Sequence, residues 1–159
     1  MIIKTIVKSE YIDLFMGFAV DCSKKSTSLK RKVGAVIIND NNCISTGWNG
    51  TLPGLPNECE DSEGHTKPDV CHAEENAILK LARARGGGEG SSIFCTCAPC
   101  AMCSRLIINS GIKEAFFLEV YKNDEGLNNL IRSNVSVYQL IPDNAGSYII
   151  RVIHKGATE

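Results

Sequence analysis

Two apolar periods alternate along the chain and predict its secondary structure. Residues 8–24 carry apolar side chains three or four positions apart, which is the spacing of an amphipathic helix. Residues 32–40 and 43–50 are more continuous apolar runs joined by the turn-forming sequence Asn-Asp-Asn-Asn, and they predict a strand pair. Residues 50–69 are rich in proline, glycine and polar side chains, so they predict a loop.

The second half of the chain alternates helical and strand-like segments. Helical spacing and the break signals proline and glycine predict three helices, at 72–85, 99–110 and 124–133. Short apolar runs predict strands at 91–96, 115–121 and 135–141, and either an edge strand or an extended tail at 148–153. This alternation predicts an α/β layered fold around a largely parallel sheet. Because neither a repeat nor a linker interrupts it, we expect residues 1–159 to form one domain.

Composition narrows the class of protein. The chain has 159 residues, of which 43% are hydrophobic and 22% charged, as in ordinary globular domains. A net charge of −1 argues against a nucleic-acid partner, and no apolar run approaches the roughly 20 residues that span a membrane. The N-terminal sequence lacks the pattern of a signal peptide, which predicts a cytoplasmic location. In that reducing compartment, the eight cysteines favour metal ligands or free thiols over disulfides.

Four cysteines lie within residues 95–103, and two of them have metal-ligand spacing. Cys100 and Cys103 follow Pro99 at a predicted helix start, where free backbone N–H groups and the helix dipole favour thiolates. Zinc with a hydrolytic role takes three protein ligands and keeps a fourth position for water. We therefore expect one further ligand. Cys95 and Cys97 lie outside the helix and are expected to have packing or loop roles.

A histidine supplies the missing ligand. His72 opens a predicted helix, whereas His65 lies in the loop and His154 in the last strand-like segment. Glu74 follows His72 by two positions, and together with Cys100 and Cys103 these residues match the zinc deaminase signature H-x-E…P-C-x-x-C. We predict His72, Cys100 and Cys103 as zinc ligands.

The same pattern predicts the chemistry. Zinc lowers the pKa of a bound water toward neutrality, and Glu74 can take the proton. Passed to N3 of a cytosine ring, the proton makes C4 electrophilic, and Glu74 then protonates the departing amine, so that ammonia leaves and uracil remains. The alternative from another class is a zinc-stabilised binding module without catalysis. Glu74 argues against it, because a structural zinc site needs no acid or base.

With these motifs the sequence resembles the cytidine deaminase-like superfamily and, within it, the deoxycytidylate (dCMP) deaminases. The resemblance spans roughly residues 8–142 and is carried by RKVGAVII at 31–38, GWNG at 47–50, CHAEENAI at 71–78 and TCAPCAMC at 96–103. It implies a three-layer α/β/α fold with a central mixed sheet of five or slightly more strands. It also implies conversion of dCMP to dUMP, which supplies dTTP synthesis.

The resemblance further implies regulation, assembly and substrate contacts. Family members are commonly hexamers activated by dCTP and inhibited by dTTP, with Mg²⁺ on the triphosphate. The implied effector contacts are Lys30, Gly47, Trp48, Asn49, Gly50 and Arg83, where Trp48 replaces a family tyrosine. The implied substrate contacts are Val33, Asn49, Ala73, Thr96 and Tyr121, and the basic run at 24–32 would contact phosphate. Ordinary roles as turn, core or solvated surface residues remain open for Asn49, Tyr121, Arg83 and the basic run.

Two other hypotheses accompany the resemblance. A second, structural zinc of some relatives would map near Ser28, Cys59, His65 and Cys71, but serine is a poor zinc ligand and leaves that set incomplete. The alternative function is that of another deaminase of the superfamily, acting on free cytidine or deoxycytidine or on adenosine in tRNA. The GWN sequence is shared with the tRNA enzymes, although the near-neutral charge fits them less well.

Overall fold

The structure, a computed structural model, describes residues 4–157. A 3-10 turn (Ser9–Tyr11) precedes four helices, α1 (Ile12–Ser23), α2 (Ala73–Arg83), α3 (Ala101–Asn109) and α4 (Glu125–Arg132). The strands are β1 (Gly34–Asn39), β2 (Asn42–Trp48), β3 (Gly50–Thr51), β4 (Val70–Cys71), β5 (Ser92–Cys97), β6 (Glu114–Glu119), β7 (Ser136–Pro142) and β8 (Tyr148–His154). The predicted helices and strands are confirmed to within a few residues. Residues 1–3 and 158–159 of the expected domain lie outside the described residues.

Six of the strands form one mixed sheet in the order β2-β1-β5-β6-β7-β8. Only β5–β6 and β6–β7 pair in parallel, whereas β1–β2, β1–β5 and β7–β8 are antiparallel. The prediction of a largely parallel sheet is therefore wrong, and the mixed sheet implied by the resemblance is confirmed. The physical reason lies in the connections. The tight turns before β2 and β8 can only join antiparallel neighbours, while α3 and α4 provide the crossovers that parallel strands need.

The predicted strand pair closes through a two-residue turn. Asp40 and Asn41 both have left-handed backbone angles, with φ of 48° and 56°. Two such residues produce the turn whose twist matches that of paired strands, and asparagine and aspartate adopt these angles more readily than other non-glycine residues. The terminal segment after β7 forms an edge strand, the first of the two predicted outcomes.

Helices cover both faces of the sheet and create two cores. Helices α2, α3 and α4 bury residues such as Ala77, Ile107 and Leu130 against one face, which we call the three-helix core. Helix α1 buries Phe15 and Met16 against the other face, which we call the one-helix core. This arrangement is the three-layer fold implied by the resemblance. Among the described residues, no helix has the length and apolar character needed to cross a bilayer.

An aromatic stack runs across the sheet within the one-helix core. The rings of Phe94 on β5 and Phe116 on β6 stack with centroids 4.4 Å apart, and Phe116 stacks on Tyr138 of β7 at 4.8 Å. Neighbouring parallel strands place these side chains in direct register. The stack therefore fixes the three central strands against one another.

Two glycines allow the helix starts to approach their neighbours closely. A Cβ atom on Gly47 of β2 would lie 2.1 Å from the carbonyl oxygen of Ala73, the first residue of α2. A Cβ atom on Gly126 of α4 would lie 1.9 Å from the carbonyl oxygen of Pro99, just before α3. Real Cβ atoms do not come this close to backbone. These contacts therefore fix where α2 and α3 begin.

Replacing Gly126 with alanine is expected to lower the free energy of unfolding by about 1–3 kcal/mol, because the new methyl group overlaps the Pro99 backbone. Urea unfolding of the purified variant measures the change. Gly17→Ala is the matched control, since Gly17 lies in α1 with no atom within 4 Å of its missing Cβ. Alanine there is expected to raise stability by up to about 1 kcal/mol. Equal stabilities for Gly126→Ala and the unaltered protein would contradict the close packing of α4 on this backbone.

Candidate metal centre and active site

Three of the predicted side chains meet at one point. The Nδ1 atom of His72 lies 3.4 Å from the Sγ atom of Cys100 and 3.4 Å from the Sγ atom of Cys103. Their possible ligand atoms all lie within 4.8 Å of one another. Within residues 4–157, this is the one cluster of three or more histidine, cysteine or acidic side chains that is close enough to hold a metal ion.

The histidine is placed by the start of α2. His72 immediately precedes the helix in extended conformation, and its backbone N–H donates to Oε2 of Glu75 at 3.3 Å. One turn into the helix, the Nδ2 atom of Asn76 donates to the carbonyl oxygen of Trp48 at 2.8 Å. These hydrogen bonds attach the first turn of α2 to the end of β2. The imidazole is therefore carried on a fixed backbone.

The two cysteines are placed by the start of α3. Cys100 is the residue before the helix, and its Sγ atom accepts a 3.5 Å hydrogen bond from the backbone N–H of Cys103. A free N–H group of a helix start stabilises a thiolate at this position. The predicted role of the Pro-Cys-x-x-Cys sequence as a helix start that presents two sulfurs on one face is in keeping with this geometry.

The donor set fits zinc. With Zn–S bonds of about 2.3 Å and Zn–N bonds of about 2.0 Å, ligand atoms at the corners of a tetrahedron lie about 3.5 Å apart. The two nitrogen–sulfur separations of 3.4 Å match that edge. Two sulfurs and one imidazole nitrogen leave one tetrahedral position for a water or substrate atom, as in catalytic rather than structural zinc sites.

Hydrogen bonds with shared protons shift the pKa values of all three side chains. A hydrogen bond from the Cys103 thiol, with a further one from His72, lowers the pKa of Cys100 to about 3. The same contact with Cys100 raises the pKa of Cys103, and the hydrogen bond to Cys100 raises the pKa of His72. The cluster thus already favours one thiolate. A divalent cation would replace the shared protons, so binding is coupled to proton release.

Glu74 adds a carboxyl group beside the cluster. It lies in the first turn of α2 and is only 4% exposed. Burial raises its pKa, because desolvation disfavours the charged carboxylate. A buried carboxyl group with a raised pKa accepts a proton more readily than an exposed one and can return it to a substrate atom, which is what general acid–base catalysis requires.

A cavity of about 150 Å³ joins these residues to the predicted substrate contacts. His72, Glu74 and Cys100 form one side of it. Four of the predicted substrate contacts line it as well, namely Val33, Asn49, Ala73 and Tyr121. Thr96, also predicted, does not line it; its Oγ1 atom accepts a 3.1 Å hydrogen bond from the backbone N–H of Gly34 and joins β5 to β1.

Asn49 connects the cavity wall to the segment before β1. Its Oδ1 atom accepts from the backbone N–H of Val33 at 2.8 Å, and its Nδ2 atom donates to the carbonyl oxygen of Arg31 at 2.8 Å. Each of these atoms can form one further hydrogen bond. Asn49 thus acts as a clamp on residues 31–33, a structural role that sequence reasoning did not anticipate.

The predicted effector contacts are separated. Lys30 and Asn49 line the cavity, whereas the Nζ atom of Lys80 lies 4.2 Å from the ring centroid of Trp48, outside it. Arg83 is exposed in the last turn of α2, about 15 Å along the helix from its start. Gly47 packs on α2, and Gly50 pairs with Cys71 between β3 and β4. Within one chain these residues do not form a single site.

Sequence reasoning missed the role of Cys97. Cys95 is fully buried in the three-helix core, as expected for a packing residue. Cys97, two residues further along β5, lines the cavity, and its Sγ atom accepts a 3.0 Å hydrogen bond from Nη1 of Arg31. The signal was its place at the carboxyl end of β5, which pairs in parallel with β6, because binding residues gather at the carboxyl ends of parallel strands.

The side chains of the incomplete second zinc set have other partners. Ser28 donates to Oε1 of Glu60 at 2.7 Å, and Cys59 contacts the Thr27 hydroxyl at 3.3 Å. The His65 side chain is 69% exposed and faces acidic side chains on its own loop. Among the residues described, Cys59, His65 and Cys71 are not gathered into a metal-binding group.

Comparison with known proteins agrees with this geometry. The family model described as the cytidine and deoxycytidylate deaminase zinc-binding region matches residues 9–119. The deoxycytidylate deaminase of Saccharomyces cerevisiae is 34% identical over 131 residues, covering 76% of this chain and 41% of that protein. The deoxycytidylate deaminase of Enterobacteria phage T4 is 30% identical over 154 residues, covering 70% of this chain and 79% of that protein. The chain thus spans less than half the length of the yeast relative.

A solved structure is similar over nearly its whole length. The crystal structure of dCMP deaminase from the cyanophage S-TIM5, in complex with dCMP and dUMP, superposes with a TM-score of 0.81. The two chains are 35% identical, and the match covers 84% of this chain and 98% of the phage chain. The family match, the shared fold and the zinc-compatible His-Cys-Cys cluster agree with one another. This chain therefore belongs to the cytidine and deoxycytidylate deaminase family and contains the zinc-binding region by which that family is defined.

Proposed function

We propose that this protein catalyses the zinc-dependent hydrolytic deamination of dCMP to dUMP and ammonia. One observation carries the proposal: the cavity that holds His72, Cys100 and Glu74 is also lined by the cationic side chains of Lys30 and Arg31. The metal-binding cluster and the buried carboxyl group would carry out the deamination, and the two cations would bind the phosphate of an anionic substrate. The similarity to phage and yeast deoxycytidylate deaminases supports the same substrate.

Zinc bound by His72, Cys100 and Cys103 would supply the Lewis acid that lowers the pKa of the reacting water. Glu74 accepts the proton of that water and delivers it to N3 of the cytosine ring, which makes C4 electrophilic. After water has added at C4, Glu74 transfers the second proton to the exocyclic amine, which leaves as ammonia. A single carboxyl group suffices because each proton it accepts is given back within one turnover.

The substrate phosphate is assigned to the cationic side of the cavity. Arg31 is held by Cys97 at 3.0 Å and lies 3.9 Å from a Glu119 carboxylate oxygen, so its guanidinium group is oriented before substrate binds. Guanidinium and ammonium groups form charge-assisted hydrogen bonds with phosphate oxygens. A net charge of −1 for the whole chain makes this a local concentration of positive charge rather than a general one.

Regulation and assembly complete the proposal. We assign activation to dCTP and inhibition to dTTP, each with Mg²⁺ on the triphosphate, and a homo-oligomer, a hexamer, as the assembly. The product dUMP would supply dTTP synthesis. Support for these points comes from the family resemblance. A cytoplasmic location is supported by the eight cysteines, none of which is paired in a disulfide, as is usual in a reducing compartment.

The test is ammonia release from dCMP, deoxycytidine and a tRNA stem-loop, each with and without dCTP and dTTP. Because deoxycytidine lacks the phosphate, kcat/KM is expected to be about 100-fold higher for dCMP than for deoxycytidine. At low dCMP, dCTP is expected to raise the rate and dTTP to lower it. Dominant activity on the nucleoside or the tRNA would overturn the dCMP assignment, and equal rates with and without both triphosphates would refute the regulation.

A further inference from the structure

The segment between α1 and β1 supplies much of the cavity wall without any regular structure of its own. We call residues 24–33 the basic loop; it contains Lys30, Arg31 and Val33, all of which line the cavity. Apolar burial does not determine its course, because Leu29 at its centre is 88% exposed. Val33 at its end packs against the three-helix core, and hydrogen bonds define the conformation of the residues before it.

One carboxylate accepts three hydrogen bonds from the middle of the loop. The Oε1 atom of Glu60 accepts from the Ser28 hydroxyl at 2.7 Å, the backbone N–H of Leu29 at 3.1 Å and the backbone N–H of Lys30 at 3.4 Å. Ser28 is only 4% exposed, so this contact is shielded from water on its side. Hydrogen bonds to a carboxylate are stronger than those between neutral groups.

Glu60 is itself fixed in the loop that follows β3. Its backbone forms an isolated bridge with Thr66, another residue that lines the cavity. The neighbouring residue Cys59 is 1% exposed, and its carbonyl oxygen accepts from the backbone N–H of Lys67 at 2.9 Å. The carboxylate thus extends from a constrained backbone to the basic loop.

We propose that Glu60 is a positioning residue that holds the basic loop so that Lys30 and Arg31 face the substrate phosphate. This inference rests on the proposed function. Glu60 holds the residues before Arg31, and Asn49 holds the carbonyl oxygen of Arg31 and the N–H of Val33 after it. Anchors on both sides fix the backbone from which the two cations project. Glu60 touches neither substrate nor metal ligands, and its effect is transmitted through the loop.

The experiment compares Glu60→Ala and Glu60→Gln with the matched control Glu63→Gln, whose side chain is exposed on the same loop and contacts only His65. Glu60→Ala is expected to raise the KM for dCMP about tenfold while kcat changes by less than about twofold. Glu60→Gln keeps a carbonyl acceptor, so its KM for dCMP is expected to lie between those of Glu60→Ala and the control Glu63→Gln. The kcat/KM for deoxycytidine, which has no phosphate, is expected to stay unchanged in all variants.

Amide hydrogen exchange provides a readout that needs no substrate. The N–H groups of Leu29 and Lys30 are expected to exchange faster in Glu60→Ala and at the normal rate in Glu63→Gln. An unchanged KM for dCMP, an equal loss on deoxycytidine, or unchanged exchange at both amides would overturn the proposal. If the unaltered protein fails to deaminate dCMP, the proposed function fails, while the exchange rates still decide whether Glu60 orders the loop.

Discussion

Glu74→Gln is expected to lower kcat by about 10⁴-fold, because the amide has the size of the carboxyl group but cannot carry the proton from water to the substrate. Glu74 is 4% exposed and burial disfavours its charged form, so the neutral glutamine is not expected to destabilise the fold. Ammonia release measures turnover, elemental analysis measures zinc, and thermal unfolding measures stability. Normal zinc content and stability with lost turnover would place Glu74 in the chemical step.

The neighbouring carboxylate supplies the matched control. Glu75 lies in the same helical turn, and its side chain accepts a hydrogen bond from the backbone N–H of His72. Glu75→Gln keeps an acceptor oxygen and is expected to change kcat by less than about tenfold. If Glu74→Gln retained the turnover of the unaltered protein, the proton-transfer role would have to be abandoned.

Cys100→Ala is expected to remove stoichiometric zinc and detectable turnover together. Two protein ligands would remain, and the hydrogen bonds that link Cys100 to His72 and Cys103 would be lost. A ligand that binds only the folded protein stabilises it by about 4 kcal/mol at a thousand times its Kd. The variant is expected to lose that zinc-dependent gain. Urea unfolding with and without added zinc, together with elemental analysis after dialysis against a chelator, measures both effects.

Cys43→Ala is the control that tests whether replacing a cysteine outside the cluster also removes zinc and turnover. Cys43 is exposed on β2, and its thiol donates a 3.6 Å hydrogen bond to the carbonyl oxygen of Ser45, far from the cavity lining. The variant is expected to keep one zinc per chain and full turnover. A Cys100→Ala protein that still bound zinc stoichiometrically and released ammonia at the normal rate would contradict the assignment of the metal centre.

The residues that meet in the candidate metal centre could be predicted from sequence because each pair is encoded locally. His72 and Glu74 are two positions apart, and Cys100 and Cys103 are three apart, each pair at a helix start that proline, glycine and apolar spacing indicate. The relative positions of residues this close in sequence depend on the local helix start and not on the tertiary fold. The elements themselves were predictable for the same reason, since each depends on the period of its own side chains.

The sheet order and the loop contacts could not be predicted from local pattern. The antiparallel pairing of β1 with β5 joins residues about sixty positions apart, and no periodic signal records which strand edge is chosen. The hydrogen bond from Arg31 to Cys97 and those from the basic loop to Glu60 each involve at least one irregular segment, for which no periodic pattern predicts a partner. These contacts depend on tertiary placement, and they are the ones that shape the cavity beyond the metal ligands.

The division of the interior into two cores has a consequence for how this protein can change. The cavity is lined by residues of the three-helix core and its margins, such as Ala73 and Ala98, and by no described member of the one-helix core. Substitutions at distant, independent sites add their effects with little coupling. Repacking around Phe15 or Met16 is therefore expected to change thermal stability with little effect on the cavity. We therefore expect sequences adapted to warmer or colder habitats to differ mainly in the one-helix core, which contributes no described residue to the cavity.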